Sequence, residues 1–103
     1  VYNDILRTFP GEFSIYDQYA RFAYPGYNLL RGSTGSAVRN HQEYLQVLSR
    51  GVESVPYVAA DGIFGPQTEA AVKAARQYFG LTPNGVVGPL LWYAIAEYYY
   101  YNV

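Results

Sequence analysis

The sequence predicts a small all-α domain with three main helices, and three observations support that fold class. The chain has 103 residues, of which 50% are hydrophobic and 15% are charged, so one folded module with a modest core is expected. Three stretches place apolar residues at helical spacing. A six-residue phrase occurs twice, as DGIFGP at 61–66 and as NGVVGP at 84–89, and one of those stretches follows each copy.

The segment 1–26 differs from the remainder, and we interpret it as an N-terminal arm or linker before a domain over 27–103. Two Pro-Gly pairs within it are strong turn signals. Apolar residues between those pairs form a weak helical stripe, which predicts a short helix over 12–23. Because the chain starts at Val1 and contains no Met, we interpret it as a mature product or a piece of a longer polypeptide.

The first main helix is predicted over 36–49. The glycines of the GSTG stretch before it are poor helix formers, and Gly51 after it is a typical helix end. The residues expected to share the buried face of this helix are Val38, His41, Gln42, Leu45 and Leu48.

The second and third main helices are predicted to begin at Pro66 and Pro89. Proline suits the first helical position, where its missing N–H loses no hydrogen bond, and the Asp-Gly or Asn-Gly pair that opens each phrase favours a tight turn. Gly80 is expected to end the second helix. The expected inner faces are Thr68, Ala71, Val72, Ala75 and Phe79 in one helix and Leu91, Trp92, Ile95 and Tyr99 in the other. The phrase residues expected to enter the core are Ile63, Phe64, Val86 and Val87.

Composition argues against several kinds of partner. The formal net charge is −1 and no basic stripe is present, so nucleic acid is not an expected partner. The chain has no cysteine, which excludes disulfides, thiolate metal sites and a cysteine nucleophile. No apolar run approaches the roughly 20 residues that cross a bilayer, so no membrane span is predicted.

Catalytic chemistry is not expected from these residues. The single histidine, His41, lies in an apolar helical stripe, where a core role is favoured over that of a general base, and no second zinc ligand is evident. Composition alone leaves a Ser-His-Asp set open. Paired carboxylates could hydrolyse a glycosidic bond, but Asp61 suits its turn and Glu69 suits a helix start. We therefore predict no enzymatic activity, no catalytic residue, no metal and no cofactor.

Three stretches follow one another in an order known from a protein family: LRGSTGSAVRNHQEYL, DGIFGPQTEAAVKAARQYFGL and NGVVGPLLWYAI. They resemble the peptidoglycan-binding domain of the type-1 family over about residues 29–96. The resemblance implies a small three-helix module without catalytic activity. Such modules are attached to cell-wall hydrolases, including amidases, muramidases and spore-cortex-lytic enzymes.

The function that this resemblance implies is binding to peptidoglycan of the cell wall or spore cortex, so that an attached hydrolase or other protein is localised there. The implied partners are peptidoglycan and neighbouring domains of the same polypeptide, in an extracellular, wall-associated or spore-associated setting. The 13 tyrosines and the long gap SRGVESVPYVAADG resemble versions from spore-forming Gram-positive bacteria. The alternative is an interaction or regulatory module, similar to prodomains, that packs on a neighbouring enzyme domain. The residues leave open whether glycan or stem peptide is bound.

Four residues, at three places in the chain, depart from the usual family pattern. His41 stands where an apolar residue is usual, Ala75-Arg76 stands for Phe-Gln, and Leu91 stands for a Thr before the tryptophan. One interpretation is sequence drift with compensating volumes in the core. The other is a small recess lined by His41 and Arg76 that receives a carboxylate.

The candidate ligand-binding residues are chosen for their chemistry. A peptidoglycan binder needs aromatic faces for sugars, and arginine or backbone N–H groups for carboxylates. The predicted set is Arg31, Asp61, Phe64, Gln67, Arg76, Tyr78 and Trp92. For Phe64 and Trp92 a position in the core is the alternative.

The C-terminal run Tyr98–Tyr101 cannot be buried by a single core, because four consecutive helical residues spread around most of the helix. A cover is therefore expected for part of this run. The arm at 1–26, a neighbouring domain or a second copy of the chain could supply it.

Overall fold

A computed structural model of the chain describes residues 24–102, and this range holds three helices. They are α1 (Ser36–Gly51), α2 (Pro66–Tyr78) and α3 (Pro89–Asn102). The prediction of an all-α, three-helix fold is confirmed. The short helix predicted over 12–23 lies outside the described residues.

The helix boundaries follow the sequence signals closely. Pro66 and Pro89 are the first residues of α2 and α3, and α1 runs two residues beyond its predicted end. After α2, Gly80 takes a left-handed conformation with φ 78°, and the amide of Leu81 donates to the carbonyl of Arg76 at 2.8 Å. This arrangement ends a helix at low conformational cost because glycine has no Cβ.

The core lies where α1 packs against both α2 and α3. All five residues predicted on the inner face of α1 are buried, as are the predicted positions of the other two helices except Phe79 and Tyr99, which are partly buried. Among the largest fully buried side chains are Leu29, Leu45, Leu48, Leu91 and Ile95. Each such side chain contributes about 1.5–3 kcal/mol through removal of apolar surface from water.

The two copies of the phrase form turns with the same hydrogen bond, and we name 61–66 corner 1 and 84–89 corner 2. In corner 1, Asp61 Oδ1 accepts from the amide of Ile63 at 3.0 Å. In corner 2, Asn84 Oδ1 accepts from the amide of Val86 at 3.1 Å. A short side-chain oxygen that accepts from the amide two residues later is the reason that Asp or Asn opens each turn.

Only one apolar residue of each corner is fully buried. Phe64 and Val87 lie in the core, as predicted, but Val86 is only half-buried. The expectation for Ile63 is wrong, since 58% of this residue is exposed. Neighbouring residues in an extended segment point to opposite sides, so burial of Phe64 turns Ile63 outward.

A connector before α1, residues 29–35, holds the two corners together. Leu29 exchanges backbone hydrogen bonds with Val87 of corner 2, at 3.1 and 2.8 Å. The amide of Phe64 in corner 1 donates to the carbonyl of Ser33 at 2.9 Å, and the amide of Gly32 donates to the carbonyl of Phe64 at 3.0 Å. Two isolated antiparallel bridges result in the described range, Leu29–Val87 and Thr34–Ile63, and they tie the connector to the segments that precede α2 and α3.

Within residues 24–102, none of the three helices combines the length and apolar character required to span a membrane.

Candidate ligand-binding cleft

The candidate site is a cleft of about 320 Å³ beside the start of α3, which we name the Arg76 cleft. Residues of the chain before the connector, the end of α2, corner 2 and the first turn of α3 line it. They are Asn28, Arg76, Asn84, Val86, Gly88, Pro89 and Leu90. The volume is at the lower end of the range of about 300–1,000 Å³ that is typical of small-molecule pockets.

Arg76 supplies a fixed positive charge to this cleft. Its Nε donates to the carbonyl of Thr82, and its Nη1 donates to the carbonyl of Val86 at 3.1 Å. Backbone carbonyls orient the guanidinium but do not neutralise it, and arginine stays protonated in proteins. The ion pairs found between described residues are Arg31–Glu69 and Arg39–Glu43, so in that range no carboxylate pairs with Arg76.

The first turn of α3, which contributes Pro89 and Leu90 to the lining, also contains backbone donors. The first intrahelical bond runs from the amide of Trp92 to the carbonyl of Gly88 at 2.9 Å. The amides of Leu90 and Leu91 therefore have no acceptor within the helix, and the positive end of the helix dipole lies here. The side chain of Leu90 is 72% exposed and forms an apolar edge of the cleft.

Of the seven predicted ligand-binding residues, only Arg76 lines the Arg76 cleft. Phe64 and Trp92 are each 2% exposed, so both occupy the core position that was their alternative. Tyr78 is exposed at the end of α2, with its ring edge-on to Phe79.

The other predicted residues belong to corner 1 and its surroundings. Arg31 is exposed and pairs with Glu69 of α2 at 3.4 Å, and Gln67 is exposed in the first turn of α2. Asp61 is exposed, and its pKa lies below the ordinary value because the amide of Ile63, and then the side chain of Gln42, donate to its carboxylate. This corner therefore carries an ionised carboxylate, whereas corner 2 carries a cation.

The described residues form no recess shared by His41 and Arg76. His41 is 1% exposed, and its ring stacks on Trp92 with centroids 5.2 Å apart. Neither ring nitrogen has a hydrogen-bond partner in the described range. Burial lowers the pKa of His41 to about 3, so the ring is a neutral core group, and His41 does not line the Arg76 cleft.

Several residues of the cleft were missed at the sequence level, among them Asn28, Val86 and Leu90. The repeated phrase pointed to corner 2 as a helix start, and it was the only available signal. Asn28 gave none, because its place beside Gly88 depends on the pairing of Leu29 with Val87, 58 positions along the chain.

Metal chemistry finds no support in residues 24–102, where no group of three His, Cys, Asp or Glu side chains could hold an ion.

The fold is a three-helix module in which two corners of the same local design start the last two helices. The profile of the family described as "Putative peptidoglycan binding domain" matches residues 34–95, which is more than half of the chain. The chain therefore belongs to this peptidoglycan-binding domain family, which confirms the resemblance noted in the sequence.

Two curated relatives share part of the sequence. A zinc D-Ala-D-Ala carboxypeptidase from Streptomyces albus G is 40% identical over 62 residues, which cover 59% of this chain and 23% of that protein. An uncharacterized protein in the bpoA1 3' region of Kitasatospora aureofaciens is 56% identical over 32 residues, covering 31% of this chain and 27% of that protein. The matches thus span about a quarter of each relative. No solved structure has significant similarity to the chain.

Proposed function

We propose that this domain is a non-catalytic module that binds peptidoglycan and localises an attached cell-wall hydrolase. The observation that carries the proposal is the family match over residues 34–95. The Arg76 cleft supports it, because it joins a cation, polar side chains and apolar edges in one concave surface. By tethering, such a module raises the effective concentration of its partner at the substrate without any chemistry of its own.

The proposal that a hydrolase is attached to this domain is supported by one of the relatives. One relative is named a zinc D-Ala-D-Ala carboxypeptidase, and the matched segment is 23% of its length. A segment of this kind therefore accompanies an enzyme in that protein, which supports a similar arrangement here. We place the module outside the cell, on the wall or spore cortex of a Gram-positive bacterium, in keeping with its tyrosine-rich sequence.

Sedimentation with purified sacculi tests the binding function. The 103-residue chain is incubated with sacculi, centrifuged, and measured in pellet and supernatant; a helical protein of similar size and net charge is the control. We expect the chain in the pellet in a saturable manner, with no fall in the turbidity of the suspension. A chain that stays in the supernatant contradicts the proposal, and a fall in turbidity contradicts the non-catalytic role.

The alternative is a regulatory module that packs on a neighbouring enzyme domain, and the exposed apolar side chains of α3 favour it. Leu90, Tyr93 and Tyr101 are all exposed, and such a surface suits contact with another protein. In the full-length protein, deletion of a regulatory module would change hydrolysis of a soluble substrate. Deletion of a tether would lower the hydrolysis of sacculi and leave the hydrolysis of the soluble substrate unchanged.

A further inference from the structure

We propose that the Arg76 cleft binds the carboxylate-bearing stem peptide of peptidoglycan and not its glycan strand. The inference rests on the proposed function and names the part of the polymer that this surface recognises. Three features carry it: the charge of corner 2, the kind of side chain that lines the cleft, and the difference between the two corners.

The difference between the corners is one of charge at the same backbone position. In corner 1 the carbonyl of Ile63 accepts from the neutral amide of Gln42 at 3.0 Å. In corner 2 the equivalent carbonyl, that of Val86, accepts from the guanidinium of Arg76 at 3.1 Å. The same turn is thus completed by a neutral group in one copy and by a cation in the other.

Of the carboxylates near the corners, Asp61 reinforces this difference and Glu69 does not. Asp61 opens corner 1, whereas the neutral Asn84 opens corner 2. Glu69 approaches corner 2 at Gly85, where an added Cβ would lie 2.5 Å from Glu69 Cγ, but Glu69 is paired with Arg31 and does not line the cleft. An anionic ligand is therefore favoured at corner 2 and disfavoured at corner 1.

The lining of the cleft argues against the glycan strand. Sugar rings are held by stacking on flat aromatic faces, and no aromatic residue is among those that line the Arg76 cleft. Phe64 and Trp92 lie in the core instead. Val86, Pro89 and Leu90 provide short apolar surfaces next to the cation, which suit the small side chains and carboxylate of a peptide end.

A charge substitution at the cleft edge, with a matched control, tests the site. Leu90 and Tyr57 are exposed to similar extents, 72% and 69%, so Leu90→Glu and Tyr57→Glu add the same charge at places that folding tolerates. We expect Leu90→Glu to weaken binding of a synthetic stem pentapeptide by about tenfold or more, because it places an anion at the edge of the cleft, where it competes with the peptide carboxylate for Arg76. Tyr57 does not line the cleft, so we expect Tyr57→Glu to leave the affinity for the pentapeptide unchanged.

A second pair of variants leaves every charge in place. A Cβ at Gly88 would lie 3.5 Å from Asn28 Oδ1, whereas a Cβ at Gly65, the equivalent position of corner 1, would meet nothing within 4 Å. Both glycines precede a helix-starting proline, so Gly88→Ala and Gly65→Ala are matched. We expect only Gly88→Ala to weaken peptide binding, by narrowing the cleft.

The probes separate the two ligand classes in an NMR titration of the full 103-residue chain. They are the stem pentapeptide with free carboxylates, the same peptide with every carboxylate amidated, and a β-1,4-linked N-acetylglucosamine tetramer. We expect the free peptide to shift the amide signals of residues 84–91 and the other two probes to leave them unchanged. The inference is overturned if the sugar shifts these signals, if the amidated peptide binds equally well, or if Leu90→Glu binds as the parent does.

Sedimentation with sacculi keeps this inference distinct from the proposed function. If the chain sediments with sacculi but the free peptide does not shift its signals, the proposed function stands and the assignment of the cleft to the stem peptide is wrong. If the chain neither sediments nor binds the peptide, both proposals are wrong.

Discussion

His41 is the residue at which this chain departs most clearly from an apolar core. Its ring lies against Trp92 at 5.2 Å and against Tyr44 at 6.2 Å, in contacts that favour a flat neutral group. Both ring nitrogens lack a partner among the described residues, and a buried polar group without a hydrogen bond destabilises the fold by about 1–3 kcal/mol. The same burial lowers the pKa to about 3, which links His41 to the pH dependence of stability.

The sign of that dependence follows from the two pKa values. The unfolded chain binds a proton at His41 near pH 6.5, while the folded chain holds the ring neutral down to about pH 3. His41 therefore leaves the free energy of unfolding unchanged above about pH 6.5 and lowers it progressively as the pH falls below that value. At about 1.4 kcal/mol per pH unit, the loss between pH 7 and pH 4.5 is about 2.5 kcal/mol.

We predict that His41→Leu removes this loss and raises the free energy of unfolding by about 1 kcal/mol at pH 7, where only the unpartnered nitrogens matter. Urea unfolding, followed by the fluorescence of Trp92, measures both effects at pH 7 and pH 4.5. The carboxylates titrate in both proteins and cancel in the difference. Parallel pH profiles for the two proteins would show that His41 is not the titrating group. Binding to sacculi should be unchanged, because His41 lies outside the cleft.

The two corners are elements with one local design and two different surroundings. Corner 1 is bound to α1 by Gln42, whose Oε1 accepts from the amide of Gly62 at 2.8 Å and whose Nε2 lies 3.0 Å from Thr68 Oγ1. Gln42 is itself buried, so this network joins α1, corner 1 and the start of α2. Corner 2 is bound instead by Arg76, which leaves it open to solvent and charged. We infer that one phrase serves as a structural joint and the other as a binding surface.

We predict that Gln42→Leu destabilises the domain by about 3 kcal/mol, because it leaves the amide of Gly62 and the hydroxyl of Thr68 without their buried partner. Gln46→Leu is the matched control: among the described residues its side chain makes one hydrogen bond, to the carbonyl of Val58 at 2.9 Å, and we expect a loss of about 1 kcal/mol. The urea midpoint at a constant slope measures both variants. Equal losses in the two variants would contradict the role of the network.

The sequence predicts those elements whose cause is local. Pro66, Pro89 and Gly80 act within one turn of the chain, so the helix starts and the end of α2 follow from them. The outward orientation of Ile63 is set by its pairing with Thr34, a residue distant along the chain. It therefore could not be predicted from the residues next to Ile63.

The site was harder to predict than the fold for the same physical reason. Phe64 and Trp92 have the chemistry of ligand walls, but large aromatic side chains also supply core volume, and only the packing decides between these roles. Arg76 was identified by its charge, but its value as a fixed cation depends on the path of the 82–86 loop, whose carbonyls hold it. Asn28 joins the cleft only through tertiary pairing.

At the scale of the whole molecule, both functional proposals use the surface of α3. The start of α3 forms the Arg76 cleft, while its last turns carry Tyr98–Tyr101. Tyr93 and Tyr101 are exposed in the described range. A helix that is apolar on most of its faces is usually covered on more than one side, so the exposed tyrosines of α3 suit contact with another domain.

Tyr24 bears on where the folded domain begins. Its ring is edge-on to Trp92 with centroids 6.2 Å apart, its amide donates to Tyr93 Oη at 3.2 Å, and its hydroxyl donates to Asn28. These contacts join the chain before the connector both to α3 and to a residue of the Arg76 cleft. We therefore propose that the domain includes Tyr24, three residues before the boundary first predicted.

Two fragments test this boundary, and they differ only in residues 24–26. We expect 24–103 to unfold cooperatively and to bind the stem peptide as the full chain does. Fragment 27–103 loses the contacts of Tyr24, which contribute about 1.5 kcal/mol, so its Tm should be lower by about 9 °C. Because Asn28 then has one partner fewer, peptide binding should also weaken, which a purely stabilising role for Tyr24 would not cause. Equal Tm values and equal affinities for the two fragments would return the boundary to residue 27. If neither fragment folds, residues 1–23 supply a part of the fold that the contacts of 24–102 cannot replace.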